Sequence, residues 1–307
     1  MKECEDSALS VKGITNSEGA GASSSKAEFF LATSNGFNGG YKSSTSSISC
    51  SVLAGEGQDM ERDYEYAVKR FSSDLPNPKE IGQSAAEKTL KRLNPQKINS
   101  TKLPVVFDKR ISNDLLGYLA SSISGTSIAR GTSFLKDSLG KQVFNKDVTI
   151  IDDPSINRGL GSKPFDGEGI KVKKREIVTN GKLNSWILNT STAKKLGLKT
   201  TGNASRSVGS PPGVSTSNLY MTNGIKSYDD IITSINYGFY ATELIGMGVN
   251  LVTGDYSMGA SGMLIENGEI THAVSEVTIA SNLKEIFMNL SAANDLEFKY
   301  RSNAPTV

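Results

Sequence analysis

The 307-residue sequence predicts an α+β fold, mainly antiparallel sheets with a few packed helices. Three observations carry that reading. Apolar and polar residues alternate with the two-residue period of half-buried strands through "YKSSTSSISCSVLAG" (41–55) and "MERDYEYAVKRF" (60–71). Asn-Gly dipeptides, which supply the positive φ angles of a tight hairpin turn, stand at 35–36, 180–181 and 267–268. Helical periodicity is confined to a few segments bounded by caps and prolines.

In chain order, "KAEFFLATSNG" (26–36) reads as a strand entering a turn, so that residues 26–71 form a meander with one polar face. Asn77-Pro78-Lys79-Glu80 then supplies an N-cap, a proline at the first helical position and a carboxylate at the third. Ile81, Ala85, Leu90 and Leu93 follow on one side, and the helix ends at Asn94-Pro95, because the residue before proline is driven out of the α region. The polar link "QKINSTK" (96–102) marks a domain boundary. It separates a meander-plus-helix domain, 1–96, from an α+β domain, 97–307.

The second domain opens with the strand "LPVVFD" (103–108) and the helix "NDLLGYLASSISG" (113–125), capped by Asn113 with Leu116, Leu119 and Ile123 on one face. A shorter helix "SFLKDSLGKQVF", the strand "VTIIDD", the loop "KPFDGEG" and a hairpin pivoting on Asn180-Gly181 follow, with Trp186 on the returning strand. Residues 197–217, rich in Gly, Ser, Thr and Pro, read as a long irregular loop. Ser227 and Asp230 cap a helix, "SYDDIITSINYG". Strands at "FYATELIGMG", "DYSMGASGMLIENGE" and "EITHAVSEVTI", a helix "SNLKEIFMNL" and a last strand "DLEFKY" complete the prediction.

Composition narrows the function. A net charge of +2 lacks the basic excess that neutralises a nucleic-acid backbone, so no nucleic-acid partner is expected. Cys4 and Cys50 form no framework and suit a reducing compartment. "MKECEDSALSVKG" has no apolar signal core, and the most apolar stretch, 237–252, is broken by Glu243 and glycines. A cytoplasmic chain without membrane association is expected.

Catalytic constellations are scarce. The single histidine, His272, lies in phase with Ile270 and Val274 and cannot by itself make a triad or a two-histidine metal site. Asp152-Asp153 would face opposite sides of a strand, and Asp229-Asp230 sit in a helix first turn, where carboxylates favour the dipole. "GMGVNLVTG" (246–254) lacks the Lys-Ser/Thr of a phosphate loop, and "KVKKR" (171–175) suits a solvated or protected edge.

Eight strings nevertheless recur in a known order: "TNSEG" (15–19), "ATSNGF" (32–37), "MERDYEY" (60–66), "ARGTSFLKDSLGKQVF" (129–144), "PFDGEG" (164–169), "TELIGMGVN" (242–250), "GDYSMGASGMLIENGE" (254–269) and "NDLEF" (294–298). With them the chain resembles the TldD/PmbA family, and within it the PmbA branch, also called TldE. The resemblance implies a two-subunit cytosolic metallopeptidase in which TldD carries zinc and TldE is a partner without it. The TldD motif is His-Glu-x-x-x-His on a helix, completed by a cysteine near the C-terminus; two imidazoles and a thiolate hold the metal, and the glutamate serves as base.

Registering the Lys-Gly-Thr-Ser string of TldD on Arg130-Gly131-Thr132-Ser133 places the first histidine position on Leu116, the glutamate on Gly117 and the second histidine on Ser121. Neither Leu116 nor Gly117 offers a side-chain lone pair, and a serine hydroxyl is a poor zinc ligand. The Gly-Cys-Gly insertion is absent after "NDL". No cofactor is therefore expected in this chain, zinc being expected in the TldD-like partner, whose complex would act on flexible peptides.

Arg130, Ser133 and Phe134, with Asp255, Tyr256 and Ser257, are candidates for peptide or partner contact, against a reading of all six as packing and turn residues. Two other readings are a metallopeptidase active in its own right and an inert truncated fragment. The resemblance also implies that an N-terminal region and a closing C-terminal strand are missing, leaving an exposed sheet edge.

Overall fold

The computed structural model describes every residue from Met1 to Val307, and its first sheet starts well before the predicted meander. Helix α1 (Lys2–Leu9) leads into β1 (Ile14–Ala32), which turns at Asn35-Gly36 into β2 (Asn38–Ala54) and then β3 (Glu61–Lys69), an antiparallel sheet in the order β1-β2-β3. The stretch "TNSEGAGASSS" has no apolar alternation because nothing covers it: side chains from Gly21 to Phe30 are exposed without interruption.

Helix α2 (Pro78–Lys91) starts as predicted, the Asn77 side chain accepting the Lys79 N–H at 3.0 Å. Its buried stripe is Ile81, Gly82, Ala85, Ala86 and Thr89, which leaves Leu90 and Leu93 only half-buried. With Cys4, Ala8, Ile48, Cys50 and Val52 its apolar members form the core of this first body. Gly82 is there because α1 crosses so closely that a Cβ would lie 2.1 Å from the Cys4 carbonyl oxygen.

The second body holds β4 (Val105–Phe107), α3 (Asn113–Ser122), α4 (Gly125–Arg130), β5 (Ile150–Asp152), β6 (Arg175–Thr179), β7 (Lys182–Leu183), α5 (Thr190–Lys195), β8 (Ala204–Ser205), β9 (Gly213–Val214), β10 (Leu219–Met221), α6 (Tyr228–Thr233), β11 (Tyr237–Ile245), β12 (Asp255–Glu266), β13 (Glu269–Asn282), α7 (Leu283–Asn289) and β14 (Ser302–Asn303). One sheet runs β13-β12-β11-β4 and another β14-β10-β5-β6-β7, with only the β11/β4 and β10/β14 pairs parallel, while β8 and β9 pair alone. A single large core, including Leu115, Leu116 and Leu119 of α3, lies among them. The class is α+β, as the hairpin turns and capped helices predict. No helix is long and apolar enough to cross a membrane.

Several local expectations are corrected. Helix α3 is preceded by Ser112 rather than capped by Asn113, and the Ser112 hydroxyl reaches the Ala304 carbonyl instead of a helix N–H. The helix also stops at Ser122, and α4 starts anew at Gly125, packed so closely on α5 that a Cβ there would meet Thr192 at 2.5 Å. "SFLKDSLGKQVF" forms turns, not a helix, because its N–H groups are taken by distant carbonyls: Phe134 bonds Leu251 and Gly140 bonds Leu183. Trp186 lies beyond the two-residue β7. "DLEFKY" makes no strand, since the N–H groups of Leu296, Lys299 and Tyr300 are held by the Asn223 and Asn303 side chains. The exposed edge expected near the C-terminus is met at one point, where Phe107 and Val307 exchange both backbone hydrogen bonds, at 2.7 and 3.2 Å.

Charged and aromatic side chains join the two bodies. Asp63 of β3, 4% exposed, faces Arg110 at 2.8 Å and Arg92 at 3.6 Å, and Arg92 continues to Glu243 of β11 at 2.6 Å. The Arg110 guanidinium also lies 4.6 Å above the Tyr64 ring. Arg70 donates to the carbonyls of Gly159 and Leu160 while holding Ser43 and Ser44 of β2. At the hairpin tip Phe37 and Tyr41 pack against Phe165, ring centres 4.7 and 5.4 Å apart.

Candidate functional site

Helix α3 carries the positions registered on the lost motif, and packing divides them. Leu116 is fully buried in the main core, whereas Gly117 and Ser121 face outward, with nothing within 4 Å of where a Gly117 Cβ would sit. No three His, Cys, Asp or Glu side chains converge anywhere as a metal-holding group. A methyl-lined core position, a bare backbone and a hydroxyl do not fit zinc.

Tyr118, on the same helix, meets Tyr256 of β12 edge to face at 6.0 Å. The Tyr256 ring is 1% exposed, and its hydroxyl has no hydrogen-bond partner. Burial, reinforced by Tyr118 and Asp114, pushes that phenol far above its usual range. It is neutral throughout the physiological range.

The Arg-Gly-Thr-Ser string ends α4. Gly131 takes the left-handed conformation, φ 71°, and the N–H groups of Gly131 and Thr132 return to the carbonyls of Ile128 and Ser127. Arg130 is thereby left exposed in the last turn. Ser133 is buried, its hydroxyl accepting the Leu135 N–H at 3.0 Å, so it shapes a turn and is turned away from solvent. Phe134 is half-buried, its ring centre 6.2 Å from that of Phe287.

Residues 246–254 link this string to the other candidates. Leu251 accepts the Phe134 N–H at 2.9 Å, Asn250 donates to the Asp255 carbonyl, and Gly248 accepts the Ser257 N–H at 2.8 Å. A Cβ on Gly248 would fall 1.6 Å from the Ser257 carbonyl oxygen, so only glycine permits this approach. Asp255 is exposed, and its carboxylate accepts from Thr253 and Asn282. Ser257 is exposed, and Met247, between two glycines, is wholly so.

The structure therefore connects Phe134 with Asp255, Tyr256 and Ser257, and sends Ser133 inward. The roles of Tyr118 and of loop 246–254 escape sequence reasoning; the glycines flanking Met247 are the only local signal.

The other acids are structural in geometry. Asp152 is buried and accepts from the Asn203 side chain at 2.9 Å and the Ser217 N–H at 2.7 Å; burial raises its pKa although these bonds oppose the rise. Asp153, just beyond the end of β5, is buried as well and holds Ser155. His272 is half-buried beside the Thr271 hydroxyl.

Residues 1–93 match the PmbA/TldA metallopeptidase central domain, and residues 100–307 match the PmbA/TldA metallopeptidase C-terminal domain. The fold is thus that of a metallopeptidase scaffold, and α3 carries Leu116, Gly117 and Ser121 at the registered positions. The chain belongs to the PmbA/TldD family, on the PmbA side. It is 41% identical over 95% of its length to the metalloprotease PmbA of Escherichia coli O157:H7, and spans 64% of that protein. A Thermotoga maritima crystal structure superposes with a TM-score of 0.92 at 29% identity, covering all of this chain and 71% of that one. TldE from Thermococcus kodakarensis shares the fold at a TM-score of 0.86 and 21% identity, over 99% of this chain and 70% of its own.

Proposed function

We propose that this chain is the subunit without a metal site in a TldD/TldE-type cytoplasmic metallopeptidase complex. It pairs with a TldD-like zinc subunit, closes one side of a protected chamber and helps present flexible peptides to the partner's metal. The observation that carries the reading is α3: Leu116 is sealed in the core and Gly117 and Ser121 carry no strong ligand. Loop 246–254, with Met247 exposed, together with the exposed Ser257 of the adjoining β12, is the surface assigned to peptide or partner contact.

The test is co-expression with the TldD-like protein of the same organism, followed by size exclusion, zinc analysis and peptide hydrolysis. Co-elution, with hydrolysis by the mixture and none by this chain alone, is expected. Stoichiometric zinc and hydrolysis by the isolated chain would overturn the assignment and favour an independent peptidase. Failure to fold cooperatively or to associate would favour the inert fragment.

A further inference from the structure

Strand β1 is an edge strand of 19 residues that pairs only with β2, and its residues from Gly21 to Phe30 are exposed on both faces. An isolated two-stranded ribbon is only marginally stable in water. This one is fixed at its base by β3 and α2, at its middle by Arg70 and at its tip by Phe165. It presents a fixed row of free backbone groups, without proline and without a bulge between Gly21 and Ala32.

The ladder tells which groups are free. Thr33 N–H bonds the Phe37 carbonyl at 2.9 Å, and the same register continues through Phe29↔Tyr41 and Ala27↔Ser43. In an antiparallel pair bonded and open positions alternate, so the backbone groups of Ser24, Lys26, Glu28 and Phe30 point outward. Lys26 and Glu28 are the only charges on this stretch, opposite in sign and both exposed.

We propose that β1 pairs antiparallel with β1 of a second copy of this chain, about a two-fold axis through Ala27. That register sets Lys26 opposite Glu28 of the second copy, and Glu28 opposite its Lys26, and brings outward backbone groups face to face. Ser24 meets Phe30 of the second copy, so each exposed aromatic covers a small residue. A register whose axis lay between two residues would set outward groups against inward ones. The interface is isologous and closes on itself, joining two three-stranded sheets into one. It requires no peptidase partner and so stands or falls apart from the reading above.

Sedimentation equilibrium of the purified chain and three charge variants tests the pairing. The chain as it stands should form a dimer. Lys26→Glu and Glu28→Lys should each weaken dimerisation by about tenfold, because like charges then face each other at both symmetry-related positions. The double exchange, Lys26→Glu with Glu28→Lys, should restore it. Ser24→Pro removes an outward N–H and should abolish the dimer with unchanged circular dichroism; if it does not fold, the charge set decides alone. A monomeric chain, a double exchange as weak as the single ones, or a dimer that survives Ser24→Pro would overturn the proposal. Association seen only with a TldD-like chain would assign the edge to that partner and overturn pairing with a second copy.

Discussion

Removing the hydroxyl of Tyr256 should stabilise the protein. The ring is 1% exposed in the main core, and the hydroxyl has no partner. An unsatisfied buried polar group costs about 1–3 kcal/mol, and the void left by one oxygen offsets only part of that gain. Tyr256→Phe keeps the edge-to-face contact with Tyr118, so a net gain of about 1 kcal/mol is expected. Trp186, the only tryptophan, lies in the same core, so its fluorescence reports on unfolding of this body and not of the first sheet. In urea the transition midpoint of Tyr256→Phe should rise with unchanged slope. A loss of about 1 kcal/mol or more would refute the reasoning, for the hydroxyl would then be satisfied by a group such as a buried water.

Two further expectations concern the first body and its junction. Asp63→Ala strips Arg110 of its close carboxylate partner and should destabilise the junction by about 3 kcal/mol; adding Arg110→Met should recover most of that, read by denaturation and by protease cleavage of the 96–102 link. Glu65 is partly buried, which opposes its charge, but Lys88 at 2.5 Å and bonds from Tyr66 and Ser84 hold its carboxyl below the ordinary value of 4.5. Its folded pKa being depressed, the stability it contributes is fully present above that value and fades as pH falls below it. Lys88→Met should flatten the acid limb of a stability-against-pH curve there, and an unchanged limb would count against the pairing.

What was legible was mostly local. Asn77 and the Ser227–Asp230 pair cap helices as written because capping involves residues two or three apart. The Asn-Gly turns likewise encode their own backbone angles. Asn189 and Thr192 form an equally local capping box, but it directly follows the Asn180-Gly181 hairpin, whose strand composition masks the helix start. The first half of β1 was invisible because alternation records one buried face and this strand has none. "SFLKDSLGKQVF" misled in the opposite sense: its composition suits a helix, but the carbonyls that take its N–H groups lie far away in sequence. Long-range bonding likewise concealed the connection from Phe134 through Leu251 to Tyr256, whereas the registered helix positions could be read because they depend on residue identity alone.

The junction between the two bodies has a property that an oily seam would lack. Arg158, fastened to both carboxylate oxygens of Asp74, and Arg70, bound to bare carbonyls, hold their partners through planar donors that fit at one angle and poorly at others. When such a seam opens, water can solvate both halves, and no broad greasy face is left to aggregate. The Arg158–Asp74 pair is open to screening by salt, whereas Asp63, 4% exposed, keeps its pairing with Arg110 largely shielded, so added salt loosens the rim of the junction before its centre.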